Sequence, residues 1–253
     1  MRLSGKITIV AGAAAGLGRA VASRFAREGA SIVAADINVQ DGKALCDQLQ
    51  MEGLNAVFIK TDVSQECEVN ALFDTALSLY GRVDVLYNNA GVLLPERDRP
   101  IHEISTATWD YIMSVNLRGS FFCARRAIAA MLQNGGGSII FLGSPTGLVG
   151  CAPELTAYST SKAAIMGLTR VMAVAHARNN VRVNSIIPGT MDTPMNGYIL
   201  ANQEAREKYR EAVPVGRLGT PKDIEGLAVF LASDESSYCT GGLYMCDGGL
   251  TAM

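Results

Sequence analysis

Histidine is the scarcest of the common catalytic residues in this 253-residue chain, with His102 and His176 as its two copies, far apart and without a cysteine or carboxylate at ligand spacing. That scarcity argues against a histidine-built zinc site and starves serine–histidine catalysis of its base, so no metal is expected. Charge is also thin. At 18% charged residues and a net charge of −2, nothing draws the chain toward nucleic acid or an anionic membrane. The six cysteines (Cys46, Cys67, Cys123, Cys151, Cys239, Cys246) form no C-x-x-C pair and read as small buried hydrophobes in a reducing cytoplasm. No apolar run approaches the ~20 residues of a membrane helix. Arg2 and Lys6 ahead of Ile7 to Ala15 imitate a signal peptide, but Gly12, Gly16, Gly18 and Arg19 break the imitation.

What the chain does have is apolar mass: 49% hydrophobic residues, enough for one domain over residues 1–253 that needs no disulfide or structural metal. Short β-type runs alternate with helix-length segments. The strand candidates are Ile7 to Ala11, Ser31 to Ala35, Ala56 to Lys60, Val83 to Tyr87, Ser138 to Leu142, Val181 to Ile187 and Leu243 to Cys246. Helical patterns cover Gly18 to Glu28, Gln40 to Glu52, Glu66 to Tyr80, Thr108 to Leu132 and Tyr158 to Ala177. Near-continuous apolar character suits strands buried on both faces, so the alternation predicts an α/β fold, a Rossmann-type doubly wound sandwich with a parallel sheet of about seven strands. Residues 190–213 leave this rhythm and are read as a substrate lid, placed where open α/β sheets bind ligands.

Two clusters carry chemistry. After the first strand comes Gly12-x-x-x-Gly16-Leu17-Gly18, opening a helix, with Asp36 closing the second strand about 20 residues on. Glycines at that turn let backbone N–H groups and a helix N-terminus approach a pyrophosphate. Asp36 is placed to accept ribose hydroxyls and would repel a 2′-phosphate, which favours NAD over NADP. Tyr158 and Lys162, four residues apart, share a helix face. A cation ~5 Å from a phenol is worth about 3 kcal/mol at an effective dielectric of ~20, so Lys162 is expected to draw the tyrosine toward neutrality.

With Asp62-Val63, Asn88-Asn89-Ala90-Gly91, Asn116, Ser144, Pro188-Gly189, Thr193 and Asp247-Gly248-Gly249 in order around these clusters, the chain resembles the classical short-chain dehydrogenase/reductase family over essentially its whole length. The resemblance implies that Tyr158 is the general acid–base, that Lys162 holds the nicotinamide ribose and lowers the phenol pKa, and that Ser144 orients the substrate oxygen. It implies that Asn116 bends its helix and holds a water leading from Lys162 to solvent. Asp62 and Val63 would border the adenine, Asn89 would support the cofactor's ribose region, Gly91 would also bind the cofactor, and Thr193 with the Met191 backbone would meet the carboxamide. Three departures stand out. Ala11 replaces a usual threonine that tethers the glycine loop; the loop between Ser144 and Tyr158 is long; and Cys151 lies on that loop with no histidine or lysine to activate it.

The expected function is hydride transfer between NAD and a secondary alcohol or its ketone. A 3-oxoacyl thioester reductase and a non-catalytic NAD-binding scaffold stand as alternatives. The lining offered by residues 146–155 and the lid favours an uncharged cyclic or aryl substrate. Apolar residues on more than one face of two helices (Phe121, Phe122, Ile128, Met131; Ile165, Leu168, Val171, Met172, Val174) predict a homotetramer.

Overall fold

The computed structural model describes residues 1–253. Seven parallel strands form one sheet: β1 (Ile7–Ala11), β2 (Ser31–Asp36), β3 (Ala56–Lys60), β4 (Val85–Asn88), β5 (Gly137–Leu142), β6 (Val181–Pro188) and β7 (Leu243–Cys246), in the order β3-β2-β1-β4-β5-β6-β7. Successive side chains of a strand point to opposite faces, and the two hydrophobic cores follow that alternation. Val10, Ala34, Tyr87, Ile140 and Ile186 pack under α1 (Gly16–Arg27), α2 (Val39–Met51) and α9 (Pro221–Ala232). Ile9, Val33, Leu86, Phe141 and Val183 pack under α3 (Glu66–Tyr80), α5 (Gly119–Gln133) and α6 (Thr156–His176). No helix is long and apolar enough to cross a membrane.

Four details differ from the sequence reading. The fourth strand begins at Val85 rather than Val83, because the Asp84 carboxylate turns to accept from the Ile7 N–H at 2.8 Å and from the Arg82 guanidinium. The segment Thr108 to Leu132 is not one regular helix: α4 (Thr106–Met113) passes into α5 through a wide π-type turn at Ser114–Arg118. Residues 190–213 are largely helical, with α7 (Gly197–Leu200) and α8 (Gln203–Glu211). Met131, Ile165 and Met172 belong to the chain's own core, so the free apolar face of α5 and α6 is narrower than predicted and is marked by exposed Phe121, Val171 and Val174.

Candidate active site

The glycine loop, Asn89 and Gly91 sit at the C-terminal ends of β1 and β4, the neighbouring strands between which the strand order reverses. On the β1 side, Gly12 and Gly16 have φ of 77° and 53°, the left-handed region that favours glycine. Gly18 is required for another reason. A Cβ there would lie 1.9 Å from the Gly12 carbonyl oxygen and 2.7 Å from Asn89 Nδ2. The loop is therefore packed on itself, and its tether is visible: Asn89 Nδ2 donates to the Gly12 carbonyl at 2.9 Å, and the Asn89 N–H to Ala11 O at 3.0 Å. The side chain lost at Ala11 does not leave the loop unanchored. At the end of β2, Asp36 accepts from the Ala14 N–H and the Asn38 N–H, both at 2.9 Å, which fixes its carboxylate against the glycine loop.

A cleft of about 220 Å³ runs from Asp36 past Gly12, Gly16, Leu17, Asn89 and Gly91 to Tyr158, Lys162 and Thr193. Asp62 and Val63 do not line it. They lie past the end of β3, where the Asp62 carboxylate organises a turn through the Ser64 N–H and hydroxyl, and Val63 packs against Gly119. Met191 belongs to a second, adjoining cavity.

Tyr158 and Lys162 stand one turn apart on α6, both buried, with Lys162 Nζ 5.7 Å from the centre of the phenol ring. The ammonium donates to the Leu142 carbonyl at 2.8 Å rather than to the phenol. Burial pushes Lys162 down to about 8 and Tyr158 up to about 12, the latter partly offset by the neighbouring Ser144 hydroxyl. The expected drawdown of the phenol by Lys162 does not appear in this state: desolvation disfavours both charged forms, and the group that offsets it at Tyr158 is Ser144. Ser144 caps the short turn that follows β5, its Oγ accepting from the Thr146 N–H at 3.3 Å.

Asn116 sits inside the π-type turn, which is where its helix departs from regularity. Its carboxamide is fully engaged: Oδ1 accepts from the Val92 N–H at 2.7 Å, while Nδ2 lies 3.0 Å from Val92 O and 3.1 Å from Ser161 Oγ. It pins the chain just after Gly91, where an added Cβ would fall 3.3 Å from Asn116 Oδ1 and 3.7 Å from Lys162 Nζ.

The second cavity, about 520 Å³, opens on the far side of Tyr158 and Ser144 between the loop of residues 145–155 and the α7–α8 segment. Leu93, Leu155, Met191, Met195, Ile199 and Val213 make it mostly apolar. Tyr198 and Tyr209 also line it and add phenol hydroxyls to the wall. Cys151 lines it too, its thiol raised by burial and by Glu154, which suits a wall rather than a nucleophile.

One residue that the sequence reading passed over is Asp98. It lies in the charged run Glu96-Arg97-Asp98-Arg99, which has the look of a solvated loop, yet its side chain is 0% exposed and accepts from the Ala157 and Tyr158 N–H groups.

A family model described as enoyl-(acyl carrier protein) reductase matches residues 12–251. The 3-oxoacyl-[acyl-carrier-protein] reductase of Thermotoga maritima is 36% identical over 251 residues, covering 99% of each chain. The cis-4-hydroxycyclohexanecarboxylate dehydrogenase of Sinomonas cyclohexanicum is 36% identical over 248 residues, 98% of this chain and 97% of its own. A crystal structure from Beutenbergia cavernae, assigned as an NAD(P)-dependent gluconate 5-dehydrogenase and holding NADP at low occupancy, superposes with a TM-score of 0.93 at 34% identity, covering 99% of this chain and 98% of that one. The doubly wound sheet with its glycine loop and Tyr-x-x-x-Lys pair defines a dinucleotide-type oxidoreductase. The chain belongs to the classical short-chain dehydrogenase/reductase family, whose members bind a nicotinamide cofactor.

Proposed function

We propose that this protein is an NAD-dependent dehydrogenase of a secondary alcohol, and reductase of the matching ketone, with Tyr158 as the proton-transferring group. The observation that carries the reading is the meeting of the two cavities at Tyr158: the glycine-loop cleft on one side, the mostly apolar cavity with Ser144 on the other. The cleft fits a dinucleotide. Its loop stays bare because side chains at Gly12 or Gly18 would strike backbone within 3 Å, and Asp36 is already oriented.

Gly12, Gly16, Leu17 and Gly18 would hold the pyrophosphate, Asp36 the adenosine ribose, Asp62 and Val63 the adenine surroundings. Asn89, Gly91 and Lys162 would hold the second ribose, Met191 and Thr193 the carboxamide. The bound nicotinamide supplies the hydride acceptor or donor. In alcohol oxidation Tyr158 Oη takes the hydroxyl proton while Ser144 fixes the substrate oxygen; in ketone reduction the proton returns. Lys162, in its charged form, stabilises the phenolate, and Asn116 keeps the backbone beside Lys162 in place. The negative charge of Asp36 supports NAD over the 2′-phosphorylated cofactor seen in the Beutenbergia structure. An uncharged ring alcohol suits the apolar lining; the likeness to the cis-4-hydroxycyclohexanecarboxylate dehydrogenase supports the ring alcohol, although that relative's substrate carries a carboxylate. The likeness to a 3-oxoacyl thioester reductase supports that substrate as a second reading, which Asp36 opposes if such chemistry draws on NADPH.

Exposed Phe121, Val171 and Val174 on α5 and α6 support a homotetramer built on these helices. Six unpaired cysteines are in keeping with the cytoplasm. A tetrameric mass is the expected outcome of light scattering at micromolar concentration.

The test is oxidation of a panel of secondary alcohols with NAD+ by wild type and Tyr158→Phe at matched cofactor saturation. The variant should keep its fold and NAD affinity and lose turnover by about 10²-fold or more. Near-wild-type turnover would remove Tyr158 from the chemistry, and a wild type that binds NAD but oxidises nothing would favour a scaffold.

A further inference from the structure

The first turn of α6 has no cap of its own. Leu155 precedes the helix without a capping side chain, and no acidic residue occupies the first turn. The opening N–H groups of any helix lack intrahelical partners, and a helix carrying a catalytic tyrosine in that turn cannot hold it still if they are left loose. Here the partner comes from some sixty residues away: Asp98 Oδ1 accepts from Ala157 N at 3.0 Å and Oδ2 from Tyr158 N at 2.9 Å, separations of 59 and 60 in sequence.

Asp98 is itself held rigidly. Its N–H donates to Leu94 O at 2.7 Å. The adjacent Arg99 guanidinium does not pair with the carboxylate but stitches the same loop through the carbonyls of Pro95, Glu96 and Asp98. A fully buried carboxylate is costly unless its charge is compensated, and the positive end of α6 with two N–H donors supplies compensation. Tyrosine side chains on a helix lean back toward its N-terminus, so the Tyr158 ring leans over the turn that Asp98 clamps. The same loop carries Leu93, part of the substrate-side cavity wall, and Val92, pinned by Asn116.

We propose that Asp98 is a positioning residue for Tyr158, clamping the main chain of the proton-transferring residue from the β4–α4 loop and so coupling that loop's order to turnover. This rests on the acid–base reading of Tyr158. The test is a double-mutant cycle between Asp98→Ala and Tyr158→Phe on whichever alcohol the panel identifies, with cofactor affinity measured for each variant. Asp98→Ala is expected to lower kcat about tenfold or more, as small misplacements of a catalytic group do, with KM and NAD affinity changed less than about threefold. In the Tyr158→Phe background the same change is expected to cost less than about threefold, because the group it positions is already gone. Asp98→Asn, which keeps an acceptor for one of the two N–H groups, should fall between wild type and Asp98→Ala, and it serves as the cycle's second arm if the alanine variant does not fold. Ser105→Ala, which removes the cap of α4 at the end of the same loop, should leave kcat near wild type. Equal losses in both tyrosine backgrounds, or no loss in either, would overturn the positioning role. Wild-type turnover by Tyr158→Phe alone would instead strike the acid–base assignment.

Discussion

Ala11 lies in register with Asn88 across the β1–β4 ladder, and the buried Asn88 Oδ1 has no donor, although Nδ2 of the same carboxamide donates to Ser120 Oγ at 2.7 Å. Residues in register on neighbouring parallel strands share a sheet face, so a hydroxyl at position 11 could serve that oxygen. Ala11→Ser is expected to stabilise the fold by about 1 kcal/mol, the net worth of one hydrogen bond, and to raise the thermal midpoint by roughly 2–4 °C. Differential scanning calorimetry checks it. A lower midpoint would mean that the added oxygen is overpacked in this core.

Cofactor choice should reside in Asp36. Wild type is expected to bind NAD at least about tenfold more tightly than NADP, and Asp36→Ala to erase most of that margin. Titration of both cofactors by fluorescence or calorimetry gives the two ratios. An unchanged preference in the variant would move selectivity elsewhere.

Burial of Lys162 has a measurable price in pH. Its folded-state pKa is pushed down to about 8, below the ~10.4 of a free lysine. Below pH 8 the cation is charged in both folded and unfolded chains, and its burial destabilises the fold in full. Between pH 8 and about 10.4 the unfolded chain keeps a proton that the folded one has lost, so this group's contribution to stability rises with pH. About two units correspond to roughly 3 kcal/mol, from which the lost bond to Leu142 O subtracts about 1. Cofactor-free Lys162→Met should therefore melt several degrees above wild type at pH 7, with the gap closing by pH 10. Paired thermal melts at the two values decide it, and a constant gap would contradict the assignment.

The sheet was legible because buried parallel strands write continuous apolar runs, as at Ile7 to Ala11 and Ser138 to Leu142. The glycine loop and the Tyr158–Lys162 pair were legible because each is local, a turn or one helical repeat. What escaped is nonlocal or breaks the period. The π-type turn at Asn116 shifts the helical repeat without any change in composition, so the residues alone do not mark it, and the bend there was foreseen through the family resemblance only. Asn89 replaces the tether missing at Ala11 through a carbonyl, which no residue type announces. Asp98 is invisible for the same reason. Its partners are backbone N–H groups beyond the reach of any local pattern, and its neighbours Glu96, Arg97 and Arg99 disguise it as surface. Helix α9 was passed over, although its capping box at Thr220 and Asp223 is an explicit start signal.

The reversal of strand order between β1 and β4 makes a seam along which the chain is modular. Residues contributing the glycine loop and Asp36 all precede β3, whereas Ser144, Tyr158, Lys162 and the α7–α8 segment all follow β4. The seam therefore divides the molecule into two inheritable halves. A graft of residues 1–60 from a relative would exchange one half's ligand preference while leaving the proton-handling half untouched, provided that the bonds crossing the seam were kept: the β1–β4 ladder, Asn89 to Gly12 and Ala11, Ile7 with Asp84, and the ion pairs of Arg2 with Glu235 and Lys6 with Asp234.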